Sequence, residues 1–162
     1  TITGSGTLSV TKLNEDTDAD LSNIDSTTFT AEYLTGNNTM NSSKLGSAAI
    51  TVTAGTMTIG TADTGSATFN IVSGATIITT AEKIKTRTVT GAGNITVTSI
   101  DAGNKDQDLS SISATGTVLV QHSSNSNFTF SGRFPKSVLT FSGGQIVTIT
   151  NSNAFELSLI HI

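Results

Sequence analysis

The chain has no cysteine, no tryptophan and a single proline. Without cysteine there are no disulfide staples and no thiolate metal sites. That absence fixes no compartment. Only 12% of residues are charged, and the net charge is −4. Nothing in that balance attracts the phosphates of nucleic acid or an anionic lipid surface, so neither is an expected partner. No apolar run approaches the roughly 20 residues a membrane helix needs, and this segment is not expected to insert into a bilayer. Aromatic residues make up 5%, few for a core built around large flat anchors.

Threonine, serine, glycine and asparagine dominate instead. Isoleucine, valine and leucine are set among them at regular intervals. β-branched residues interleaved with turn formers point to many short strands. Low charge and regular apolar placement argue against disorder. A chain of 162 residues suffices for one domain that buries about two thirds of its unfolded surface.

An internal repeat organises the chain. Thr1 to Leu13 reads TITGSGTLSVTKL, and Thr88 to Ile100 reads TVTGAGNITVTSI. Gly4 matches Gly91, Gly6 matches Gly93, Leu8 matches Ile95 and Val10 matches Val97, each at a shift of 87 residues. An acidic loop follows in both copies, then Asp20-Leu21-Ser22-Asn23-Ile24 and Asp108-Leu109-Ser110-Ser111-Ile112, shifted by 88. The related segments are residues 1–34 and 88–122, inside one domain spanning 1–156.

Between the copies, apolar pairs recur about every ten residues with a glycine at each break: Ile50 and Val52, Met57 and Ile59, Phe69 and Ile71, Ile77 and Ile78. Each reads as a short strand. Gly36 to Ser43 reads as a polar loop. Glu82 to Arg87 reads as a strand with Lys83, Lys85 and Arg87 on one face; Thr80 to Lys85 is the only stretch that could form a turn of helix, and it is too short to weigh. After Ile112, strands are expected around Val118 and Val120, Phe128 and Phe130, Val138 to Phe141, and Ile146 to Ile149. The break at Arg133 to Lys136 contains Pro135, which a central strand excludes. His122, beside Ser123, is expected in a loop.

Two all-β architectures fit, a parallel β-helix and an antiparallel β-sandwich. The tight hairpin dipeptides Asn-Gly and Asp-Gly are absent. Uniform aliphatic residues suit coils that stack like on like, with threonine and asparagine outside. The β-helix is the expected fold, and the sandwich is the alternative.

Thr-Gly-x-Gly-x-Leu/Ile-x-Val-Thr followed by Asp-Leu-Ser-x-Ile resembles repeat segments of very large bacterial surface proteins. These are the adhesin, haemagglutinin and autotransporter-passenger types, and phage tail and fibre proteins carry similar segments. The resemblance covers about half the chain, mainly Thr1 to Ile24 and Thr88 to Ile112. It implies a right-handed, single-stranded parallel β-helix acting as a stalk or display surface. The region from Asn37 to Ile78 fits the motif poorly and is expected to hold irregular coils. The chain begins at Thr1 and is expected to be a segment of a longer protein. Leu157 to Ile162 reads like a translated sequencing adapter, so residues 157–162 are expected to be non-native.

Asp16, Asp18 and Asp20, with Asp101, Asp106 and Asp108 in the second copy, are the metal candidates. Calcium takes several oxygen ligands from flexible loops, and alternate carboxylates suit it. The distal glutamate of an EF-hand loop is missing. The competing reading is a solvated turn in which Asp20 or Asp108 caps backbone donors. Gly-x-Gly lacks the third glycine of a dinucleotide loop, and no other cofactor is indicated. Recurrent Thr-x-Thr triplets (Thr51 to Thr53, Thr56 to Thr58, Thr96 to Thr98) suggest an outward face able to meet a glycan or ice. The expected function is a structural and adhesive segment of an extracellular or cell-surface protein, without catalysis. Its partners would be a surface glycan, a host or neighbouring cell, and flanking repeats of the same chain. The alternatives are a glycan- or ice-binding module, a polysaccharide-degrading enzyme fragment that uses carboxylates such as Asp63, Glu82 and Asp101, and a phage tail-fibre segment.

Overall fold

The computed structural model describes residues 2–13, 18–100, 106–122, 128–133, 138–140 and 147–149. The tail at 157–162 lies outside them, as do Asp16 and Asp101. In chain order the elements are β1 (Ile2–Val10), β2 (Ile24–Tyr33), β3 (Asn37–Met40), β4 (Ala49–Val52), β5 (Thr56–Ile59), β6 (Thr68–Ile71) and β7 (Thr76–Thr80). One helical turn, α1 (Ala81–Ile84), follows. Then come β8 (Val89–Gly91), β9 (Asn94–Ile100), β10 (Val118–His122), β11 (Phe128–Phe130), β12 (Val138–Thr140) and β13 (Val147–Ile149).

All pairings between these strands are parallel. The described strands form two long sheets, ordered β1-β2-β4-β6-β8 and β3-β5-β7-β9-β10-β12, and a short pair, β11-β13. Each strand pairs with the strand one coil later, so the chain winds as a β-solenoid of about five turns. The sandwich alternative fails on strand direction. Register partners lie 19 residues apart at Ile50 and Phe69, 20 at Thr56 and Thr76, and 23 at Ile95 and Val118.

The interior consists of columns. Ala31, Ile50, Phe69 and Val89 stack in register on one sheet, and Met57, Ile77, Ile95 and Val118 on the other. All are buried. Burying each large aliphatic or aromatic side chain contributes about 1.5–3 kcal/mol. Strand alternation sends Thr51, Asn70, Thr58 and Thr96 outward. Hydroxyls reinforce the stack by donating to carbonyls one coil away. Thr98 Oγ1 donates to Thr79 O at 3.1 Å, and Ser111 Oγ to Arg87 O at 2.8 Å.

A third corner is built from one turn repeated in five successive coils among the described residues. The amides of Ile24, Ala48, Ala67, Arg87 and Ile112 donate to the carbonyls of Leu21, Leu45, Thr64, Ile84 and Leu109. Those five carbonyl-bearing residues are buried. Stacking is so close that a Cβ on Gly65 (φ +51°) would run into the Gly46 carbonyl.

Three expectations need correction. Gly36 to Ser43 is not all loop, because β3 occupies its middle and pairs with β5. The stretch from Asn37 to Ile78 is not irregular but holds the most even coils, at 19 to 20 residues. Glu82 to Arg87 is not a strand. Ala81 and Ile84, three apart and both fully buried, close a helical turn instead.

Candidate functional surface

In each described copy of the turn, the residue just before it is charged. Asp20 bridges to Lys44, and Lys44 to Asp63, in parallel pairing. Thr64 Oγ1 donates to the Lys83 carbonyl at 2.9 Å, which places Lys83 next in line. Asp108 bridges to Arg133 in the same way. Read along the stack, the signs alternate: Asp20, Lys44, Asp63, Lys83, Asp108, Arg133. Lys44 Nζ lies 2.9 Å from Asp20 Oδ2. Neighbouring coils therefore meet with opposite charges, the favourable cross-strand arrangement.

Asp20 and Asp108 use their carboxylates in matching fashion. Asp20 Oδ1 accepts from the Ser22 amide at 3.1 Å and the Ser22 hydroxyl at 2.6 Å. Asp108 Oδ1 accepts from the Ser110 amide at 2.9 Å and the Ser110 hydroxyl at 2.6 Å. Hydrogen bonds to the charged form favour it. The Ser22 hydroxyl, then Lys44, then the Ser22 amide hold the Asp20 carboxyl down at about 2. The Ser110 hydroxyl and amide, with a smaller contribution from Arg133, lower Asp108. Asp20 in turn raises the Lys44 ammonium.

The six calcium candidates are therefore not equivalent. Asp20 and Asp108 sit in the charged row as turn caps, the role weighed against metal ligation. Asp18 and Asp106 are exposed. Asp16 and Asp101 lie outside the described residues. Among the described residues, no group of three or more His, Cys, Asp or Glu is gathered to hold a metal ion.

Other singled-out residues have local partners. Glu82 pairs with Lys85 at 2.8 Å. Lys83 Nζ donates to Thr61 O at 3.1 Å, and Arg87 Nε to Thr64 Oγ1 at 3.4 Å. Asp63 Oδ1 accepts the Gly65 amide at 2.9 Å. His122 is not in a loop. It ends β10 as a buried side chain, 5% exposed.

The outer face of the β3-to-β10 sheet carries its residues in register rows. Register places Asn37, Thr56, Thr76 and Asn94 in one row. Thr39, Thr58, Ile78, Thr96 and Leu119 form the next. Rows of parallel strands repeat about every 4.8 Å, and alternate residues along a strand about every 6.6 Å. The first row is all hydroxyl and amide, groups able to donate and accept, whereas Ile78 and Leu119 interrupt the threonines of the second. The β2-to-β8 sheet carries a second, more mixed face through Glu32, Thr51, Asn70 and Thr90, where Thr53 Oγ1 donates to Glu32 Oε1 at 3.1 Å. Sequence reading found the triplets on these faces but not the charged row.

No family model, no curated protein and no solved structure matches the chain.

Proposed function

We propose that this chain is a structural and adhesive β-solenoid segment of a larger extracellular or cell-surface protein and works without catalysis. The supporting observation is the division of labour in each coil. Aliphatic side chains fill the interior, a row of charges of alternating sign lines the turn, and the sheet faces present rows rich in hydroxyls and amides. That is the build of a rigid rod with a display surface. It fits the resemblance of the two copies to repeat segments of bacterial adhesins, haemagglutinins and autotransporter passengers. Flanking repeats of the same polypeptide would extend the rod. A surface glycan or a neighbouring cell would meet its sides. Beads coated with the chain should adhere to cells bearing the matching surface. No adhesion to any cell or glycan surface would count against the reading.

The rows through Thr56, Thr58, Thr76 and Thr96 favour one second reading, a face that binds a repeating hydroxylic ligand such as a polysaccharide or ice. A glycan array and an ice-recrystallisation assay separate the two. Replacing outward Thr58 and Thr96 by Lys should abolish such binding and leave the fold intact.

A further inference from the structure

The repeated motif takes two conformations in one molecule. In the second copy, Gly91 has φ +102° and ends β8, and the chain turns there into β9. In the first copy, β1 runs through Gly4 and Gly6 as one strand. The surroundings differ in one respect. The second copy lies beneath a complete coil, with Phe69 on Val89, Ile71 on Gly91 and Thr76 on Asn94. Among the described strands, that of the first copy pairs with β2 alone, on one edge.

The glycines register that difference. A Cβ on Gly91 would strike the Ile71 carbonyl and Asn70 Oδ1. One on Gly93 would strike the Ile71 side chain and the carbonyls of Val72 and Ala75. A Cβ on Gly4 or Gly6 meets nothing within 4 Å. Nothing in the first coil requires these two residues to be glycine. The apolar residues agree. Val89, Ile95 and Val97 are fully buried, whereas Ile2 is 54% exposed and Leu8 and Val10 are only half-buried.

We propose that the open edge of β1 is the docking face for one further coil of the same polypeptide, built like residues 63–87. On docking, it bends the chain at Gly4, seats against Gly4 and Gly6, and covers Ile2, Leu8 and Val10. This rests on the reading of the chain as a segment of a longer stacked protein. The chemistry of the occupant follows from the second copy: a strand of the x-Phe-x-Ile type over residues 2–4, and an alanine above Gly6 as Ala75 lies above Gly93. The source is intramolecular because the covering coil of the second copy is joined to it directly, Arg87 to Thr88.

The test fuses a second copy of residues 63–87 in front of Thr1 of the full chain, which reproduces the Arg87–Thr88 junction. The parent, the fusion, and both carrying Gly4→Ala with Gly6→Ala are compared by amide exchange and thermal unfolding. In the fusion, exchange across Thr3 to Val10 should slow by about tenfold or more, and Tm should rise. The two alanines should erase both gains in the fusion and shift the parent Tm by less than about 2 °C. Unchanged β1 exchange in the fusion overturns the proposal. So does an equal effect of the alanines in both backgrounds, or loss of protection across β4 to β10 on fusion. Concentration-dependent protection of β1 in the parent would make a second copy the occupant, and also overturns it. Adhesion is read on the sheet faces, so that reading and this one fail separately.

Discussion

Lys12 and Ser99, 87 positions apart in the chain, both hold the left-handed backbone conformation, at φ +61° and +62°. Lys12 lies two residues past β1 and Ser99 is the last residue but one of β9, and each precedes a buried apolar residue, Leu13 or Ile100. The pairings downstream agree as well. Ile2 faces Ile24 as Val89 faces Ile112, and Leu8 faces Phe29 as Ile95 faces Val118. The repeat is therefore structural, down to the backbone of its last turn.

A β-branched residue is strained in that conformation. Ser99→Val should lower stability by about 1–2 kcal/mol, whereas Ser99→Asn, a residue that tolerates it, should be near neutral. Chemical denaturation of the two variants checks this. Equal stability of Val and Asn would show that the turn can relax.

The aliphatic columns carry most of the stability. Ile50 is 1% exposed and stacks between Ala31 and Phe69. Ile50→Ala should cost about 2–5 kcal/mol, seen as an earlier urea midpoint. Thr51→Ala, on the outer face of the same strand, should stay within about 0.5 kcal/mol.

The charged row gives a pH signature. Asp20 titrates at about 2 in the folded chain against an ordinary 3.8. A folded value below the unfolded one means that stability from this carboxylate is complete above about 3.8 and lost as pH falls toward 2. Asp108 is shifted in the same direction. The Tm gap between the wild type and Asp20→Asn should be constant near neutral pH and close below pH 4. Carboxyl NMR titration should show the Asp20 midpoint rising both in Ser22→Ala and in Lys44→Met.

Sign order within the row should matter more than the number of charges. Lys44→Glu would put three carboxylates in adjacent coils, with Asp20 and Asp63 on either side. It should destabilise the chain more than Lys44→Met, and added salt should narrow the difference because exposed charges are screened. Thermal unfolding at low and high salt measures both.

Much of the fold was legible from alternation. Ile50 and Val52, Met57 and Ile59, and Phe69 and Ile71 each announced a strand with both residues inward. β3 was hidden because Asn37-Asn38-Thr39 reads as loop, and only Met40 is fully buried. The helical turn falls inside Thr80 to Lys85, the one stretch able to form it, but Ala81 and Ile84 make too short a pattern to outweigh three basic residues read as a strand face. The repeated turn was recognised at Asp20-Leu21-Ser22 and Asp108-Leu109-Ser110. Lys44-Leu45-Gly46 hides it by changing the charge and the small residue, and Asp63-Thr64-Gly65 by putting threonine for leucine and glycine for serine. The charged row follows from those missed copies. Its members lie 19 to 25 residues apart, and only coil length reveals them as neighbours.

Neighbouring strands run parallel, one coil apart, and the absence of cysteine allows a direct measurement. Thr51 and Asn70 face outward as register partners, within the reach of a disulfide. The double variant Thr51→Cys/Asn70→Cys should oxidise to an intramolecular disulfide in near-quantitative yield without loss of Tm. Pairing Thr51→Cys with Thr68→Cys, one strand step away, should cross-link poorly. Efficient bridging of Thr51 to Thr68, with none to Asn70, would contradict the stacked-coil structure.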